Sequence, residues 1–217
     1  MNIYVVVEGR STEPAVYRSW IPLVNPVLKS VDYIAQVTKD NFYIVSGGGY
    51  PSIYSTVEAA ILDTNTDIRF DRLVVALDSE DETRDARLAE VQSIVNARAP
   101  RVDVRVIIQH FCFETWALGN RVAIPKTPNE EPLISFKKHH DVRLLDPENL
   151  AISPEYQLNR AQLAGKYLRA ALRQRNQSYS KGNPSVVAHP KYFIQVQNRL
   201  VETAHIKSFD DFVLAFS

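Results

Sequence analysis

Ile3-Tyr4-Val5-Val6-Val7-Glu8-Gly9 and Leu73-Val74-Val75-Ala76-Leu77-Asp78 decide the fold. Each is a short, β-branched apolar run that ends in a carboxylate. Continuous rather than alternating apolarity marks a strand covered on both faces, as in parallel sheets. Working outward, Asn41 to Val45 and Val102 to Ile108 read as two further strands, giving four in all. Helix-length segments separate them. Pro14 suits a first helical turn, with Val16, Tyr17, Trp20 and Ile21 as an apolar stripe. Pro51 opens a helix carrying Ile53, Val57, Ala60 and Ile61, and Thr83 to Ala97 makes a charged helix with Leu88, Val91 and Ile94 inward. Strand–helix alternation predicts an α/β fold, an open and mostly parallel sheet with helices on both faces.

Beyond residue 120 the pattern changes. Pro125, Pro128 and Pro132 mark a connecting stretch, and helices are expected over Ala161 to Gln174 and Tyr192 to Thr203, with Phe209 to Phe216 closing the chain. The organisation expected is an α/β core over residues 1–120 and a mainly helical region over 121–217 packed on it.

Composition sets limits. Hydrophobic residues make up 45% of the 217 residues and charged residues 23%, enough for a sizeable core. Lys+Arg and Asp+Glu are both 25, so no global basic excess steers a polyanion here, and any nucleic acid must be held by a local patch or through a metal. A lone cysteine, Cys112, excludes an internal disulfide and fits a reducing compartment. The first apolar run is too short to span a membrane and lacks the marks of a signal peptide, so the expectation is a cytoplasmic protein with no membrane partner.

Two strands that both end in a carboxylate bring Glu8 and Asp78 to one rim, where open parallel sheets bind ligands. Gathered like charges repel unless a cation is shared, and hard oxygen donors suit Mg²⁺ or Mn²⁺. Such an ion could polarise a phosphodiester and activate water. The simpler reading is that loops are solvated and helix N-termini favour acids; Asp81 and Glu82 would then be first-turn acids.

These residues resemble the Toprim domain of topoisomerases, primases and OLD-family nucleases. Val6-Val7-Glu8-Gly9-Arg10-Ser11-Thr12-Glu13 looks like its glutamate motif, and the Thr12-Glu13 tail is similar to that of small standalone RloB-like proteins beside defence genes. Asp78-Ser79-Glu80 stands in the Asp-x-Asp place, with Glu80 keeping the charge but lengthening the reach, which leaves Mg²⁺ against Mn²⁺ open. Phe111-Cys112-Phe113-Glu114-Thr115-Trp116 is similar to the Phe-Glu-x-Trp segment of that group. The resemblance implies a four-stranded Toprim sheet and phosphodiester hydrolysis of DNA or RNA in anti-phage defence. It further implies Glu8 as general acid or base, Asp78 and Glu80 as metal ligands with Glu8, Glu114 as a catalytic assistant, and an ATPase encoded nearby as partner. Two alternatives stay open: a non-catalytic Toprim module within an ATPase-containing complex, and a phosphatase or phosphotransferase acting on a small phosphate compound.

Other residues carry weaker signals. Gly9 and Arg10 follow the glutamate and could approach substrate. Gly47-Gly48-Gly49 lacks the Lys-Ser/Thr tail of a P-loop and reads as a turn. Lys181, next to Gly182, is the preferred phosphate contact. Lys137-Lys138-His139-His140 and Arg169, Arg173 and Arg175 could grip a backbone, although a solvated face explains each alone. His110 could shuttle protons near Glu114, or be a structural histidine. The remaining histidines have no zinc-ligand spacing with Cys112.

Overall fold

In a computed structural model, which describes residues 1–152 and 156–217, five strands form one all-parallel sheet in the order β2-β3-β1-β4-β5. The strands are β1 (Ile3–Val7), β2 (Lys29–Val31), β3 (Asn41–Ser46), β4 (Arg72–Asp78) and β5 (Asp103–Gln109). The α/β class stands, and "mostly parallel" sharpens to all-parallel. The expected count of four is corrected to five, because Lys29-Ser30-Val31 adds a short edge strand beside β3. It has no buried residue, so no apolar run announces it.

β1 lies at the centre, pairing Val7 with Ser46 of β3 and with Ala76 of β4. The chain winds from β1 toward β3, then crosses back over β1 to β4 and on to β5. The order therefore reverses between β1 and β4, where parallel sheets leave a crevice outside the carboxyl ends of their strands. Strand alternation sorts side chains to the two faces. Tyr4, Val6, Leu73, Val75 and Leu77 pack under helices α2 (Ile53–Thr66) and α3 (Arg84–Arg98). Ile3, Val5, Val7, Val74 and Ala76 pack under α1 (Thr12–Val24) and the C-terminal half of the chain.

That C-terminal half comprises α4 (Phe113–Ala117), α5 (Leu133–His139), α6 (Arg160–Arg173), α7 (Ser185–Ala188), α8 (Pro190–Thr203) and α9 (Ser208–Phe216). It shares one continuous hydrophobic core with the sheet. Trp20 of α1 sits at the junction, fully buried, with its ring centroid 5.6 Å from Phe113, 5.5 Å from Phe193 and 5.9 Å from Phe209. Among the described residues no helix is long and apolar enough to cross a membrane.

Helix α3 corrects one expectation of the apolar pattern. Its buried face is Arg87, Val91 and Val95, while Leu88 is exposed. The Arg87 guanidinium lies 4.5 Å from the Tyr50 ring centroid and donates to Tyr54 and Glu90, so a cation takes an inward position by stacking and pairing. Thr83 caps the helix, accepting from the Ala86 N–H at 3.1 Å, which contributes about 1 kcal/mol.

Candidate active site

Glu8 leaves β1 at the carboxyl rim and is buried. Its two oxygens accept backbone N–H groups from the neighbouring segments, Oε2 from Asp78 at 3.0 Å and Oε1 from Tyr50 at 3.2 Å. Gly47-Gly48-Gly49 makes this possible. The Gly47 N–H donates to the Val7 carbonyl and the Gly49 N–H to the Glu8 carbonyl, which lays the β3 loop against the end of β1. Gly48 and Gly49 hold φ of 78° and 97°, a region that suits glycine. The glycine run is a turn, as the sequence suggests, and its role is to fix Glu8. Arg10 is exposed beside it, with Nη2 3.8 Å from where a Cβ on Gly48 would stand.

Asp78 ends β4, opposite Gln109 of β5, and its Oδ1 accepts from Gln109 Nε2 at 2.9 Å. Gln109 is itself buried within reach of the Tyr17 hydroxyl. The charges acting on Asp78 are those of Glu13, Glu8, Glu114 and Lys181. Glu80, expected to pair with it, is exposed at φ 50° and raises the pKa of Glu8. Among the charges acting on Asp78, Glu13 is the largest and Glu80 is not one of them.

Glu13 lies in the first turn of α1, buried, and folds back so that its Oε1 accepts the Gly9 N–H at 3.1 Å. Sequence reasoning quoted Thr12-Glu13 as part of a motif but gave Glu13 no task. Its available signal was position, one helical turn beyond a strand-ending glutamate. Gly9 is matched to it, for a Cβ there would stand 2.5 Å from Glu13 Cδ. Gly9 is absent from the positive-φ residues, so alanine fits its backbone. Gly9→Ala is expected to displace the Glu13 carboxylate and break its bond to the residue 9 N–H, a loss of about 1 kcal/mol that the stiffer unfolded chain partly offsets, so the denaturation midpoint should change little. A little-changed midpoint with a clear loss of activity is the expected pair of results; full activity would show that Glu13 has no part in the chemistry.

Glu114 sits in α4, just past β5, and is 3% exposed. Its Oε1 accepts from the Tyr179 hydroxyl at 2.9 Å and lies 3.8 Å from where a Cβ on Gly165 of α6 would stand. Tyr179 comes from the loop after α6, which also carries Lys181. The Thr12 hydroxyl donates to the Lys181 carbonyl at 2.9 Å, tying this loop to the start of α1. So Asp78 feels the charges of Glu8, Glu13, Glu114 and Lys181, while Gln109 bonds it directly and Tyr179 bonds Glu114.

The electrostatics follow from burial. Glu8, Glu13 and Asp78 all titrate above the ordinary carboxylate range, each chiefly because burial disfavours the charged form. Neighbouring carboxylates add to this, Glu80 for Glu8, Glu114 for Glu13, and Glu13 for Asp78. Burial would lower the Lys181 ammonium, but Glu114, Asp78 and Glu13 hold it above its usual value. Lys181 thus supplies counter-charge to the carboxylates.

As to a metal, the donors suit a hard cation in kind. They are carboxylate oxygens, several with capacity left after their single recorded hydrogen bonds, and their mutual repulsion would be relieved by a shared cation. Among the described residues no group of three or more His, Cys, Asp or Glu side chains is already drawn together to hold an ion.

The other sequence candidates lie elsewhere. His110 bonds Ser79 through Nδ1 at 2.7 Å, and burial together with Arg84 and Arg160 pushes its pKa down to about 4. It is a neutral structural partner of Ser79. Lys137 donates to the Pro125 and Lys126 carbonyls, while His139 and His140 bond the carbonyls of Ala151 and Asp146. Three members of that basic run therefore hold the 121–152 segment together. Cys112 is buried, with its thiol pushed up by burial, and belongs to the core.

Comparison with protein-family models, with curated proteins and with solved structures gave no match to this chain. The class that the fold and rim define is an α/β protein with a five-stranded all-parallel sheet, with Glu8 and Asp78 at the carboxyl ends of its adjacent strands β1 and β4.

Proposed function

We propose that the chain is a metal-dependent phosphodiesterase of Toprim type that hydrolyses nucleic acid at the β1/β4 rim. The observation that supports this best is that Glu8 and Asp78 stand at the carboxyl ends of adjacent strands where the winding reverses, within the electrostatic reach of Glu13, Glu114 and Lys181. Asp78, Glu13 and Glu114 would hold Mg²⁺ or Mn²⁺, with Glu80 on the outer side of Glu8. A divalent ion there would offset phosphate charge and make water more acidic.

The chain's own groups then divide the work. Glu8 is fixed by two N–H donors, so its orientation is set before substrate arrives. Its raised pKa moves it toward the range where a carboxyl exchanges protons near neutrality. It takes the proton of the water whose oxygen attacks phosphorus, while the bond from phosphorus to the leaving sugar oxygen breaks. Lys181 offsets charge on the phosphoryl oxygens, and Tyr179 orients Glu114 through its hydroxyl.

A second reading has one observation in its favour. Lys181 already provides a cation at the rim, which suits a non-catalytic module whose partner, by the Toprim resemblance, would be an ATPase. Cleavage separates the two. Labelled single-stranded DNA, duplex DNA and RNA are incubated with the protein in Mg²⁺ or Mn²⁺. The expected result is cleavage of at least one substrate that stops when the ion is chelated; intact substrates under every condition would contradict the proposal.

A further inference from the structure

The helical half carries a cationic groove that nothing above uses. Three depressions of about 870, 560 and 410 Å³ adjoin one another through shared walls. Val122 and Arg175 are common to the first and second, and Gln177 and Ser178 to the first and third. Together they run from the 121–129 segment, past the start of α8, to the exposed face of α6. None of the residues lining them is Asp or Glu. Their cations include Lys126, Arg143, Lys166, Arg169, Arg175 and Lys191, and none of these six forms an ion pair among the described residues. Two further cations of the lining are paired, Arg121 with Glu202 and Arg173 with Glu130. The six without an ion pair lie along one continuous track that no lining carboxylate interrupts.

The track has a direction. Its third depression is lined by Tyr179, whose hydroxyl bonds Glu114 at the acidic rim, and Lys181 follows two residues on. Its floor is partly apolar, with Val122, Ala123, Val186 and Tyr192 beside the cations. Cations spaced along a groove track a phosphate backbone, while apolar and aromatic surface suits bases that are not already stacked in a duplex.

We propose that this groove binds single-stranded nucleic acid and leads it to the rim, with Arg175 and Lys191 as principal phosphate contacts. The ligand's class rests on the nucleic-acid reading above, whereas its path rests on the groove alone. Arg175 and Lys191 are exposed, and among the described residues their side chains have no partner stronger than the 3.5 Å contact of Arg175 with the Ile124 carbonyl.

The test is fluorescence anisotropy with a labelled 20-nucleotide single strand, in chelator so that nothing is cut, across a range of salt. The wild type, the double variant Arg175→Gln/Lys191→Gln, the single variant Lys191→Gln, Asp78→Asn and a control, Lys39→Gln, are compared. Lys39 is exposed just before β3, at the opposite end of the strands. The double variant is expected to bind about tenfold more weakly, with a salt slope shallower by about 1.4, as for two lost single-strand phosphate contacts. Lys191→Gln is expected to fall between it and wild type, and Lys39→Gln to match wild type. A double variant that binds like wild type, or a duplex of the same length bound more tightly than the strand, overturns the proposal. Loss of binding in the groove variants with no cleavage by wild type in metal would leave the groove standing and remove the nuclease reading.

Discussion

Asp78→Asn is expected to abolish cleavage while leaving a protein at least as stable as its parent. Asparagine keeps the oxygen that accepts from Gln109, so the strand end stays in place, and it removes one buried charge from among Glu8, Glu13 and Glu114. The loss of a metal ligand removes several kcal/mol of transition-state stabilisation. Each ~1.4 kcal/mol is a factor of ten, so the expected fall in rate is about 10³-fold or more.

The stability side has a definite sign. Glu8, Glu13 and Asp78 have folded pKa values above their ordinary ones, so the folded protein binds more protons than the unfolded chain once pH passes the ordinary carboxylate range. Their contribution is then unfavourable and grows as pH rises toward the folded values. Without divalent ion, these three acids lower stability between mildly acidic and neutral pH, against the opposite contribution of His110, His140 and His205, whose lowered values cost stability as pH falls. Asp78→Asn should flatten the acids' part of that dependence and raise the neutral melting temperature. A variant that melts lower and keeps its activity would contradict both halves.

Trp20→Ala is expected to have the largest effect on stability, about 4 kcal/mol, because it empties the junction between α1 and the helical half. Domains are commonly stable by only about 5–15 kcal/mol, so this variant should be near its limit. The Trp20 indole N–H is buried without a hydrogen-bond partner among the described residues. Trp20→Phe therefore removes an unsatisfied donor along with some volume, and should cost markedly less than alanine. Urea denaturation of the three proteins measures this. Equal losses for Phe and Ala would mean that the indole shape, not burial, holds the junction.

The sheet was legible because buried parallel strands print continuous apolar runs, as Ile3–Val7 does throughout and Arg72–Asp78 does between its charged ends. Edge strand Lys29–Val31 was not, being short and exposed. Arg87 was hidden for a different reason. Its burial depends on Tyr50, 37 positions away, and no periodicity within one helix shows a stacking partner on another segment. Glu8 and Asp78 could be placed on one rim because strand ends are local features. Tyr179 reaches Glu114 across 65 residues, and the cationic groove is assembled from four separate stretches. Glu13 is the instructive case. It stood in plain view, yet only the fold shows that its carboxylate turns back to Gly9 rather than outward with its helix.

Calorimetric titration of Mg²⁺ and of Mn²⁺ into wild type and Asp78→Asn, with a short uncleavable phosphorothioate strand present, tests the central claim most directly. The account predicts one saturable binding event in wild type that disappears in Asp78→Asn. No binding to wild type, or binding that survives the substitution unchanged, would contradict the assignment of the β1/β4 rim as a metal site.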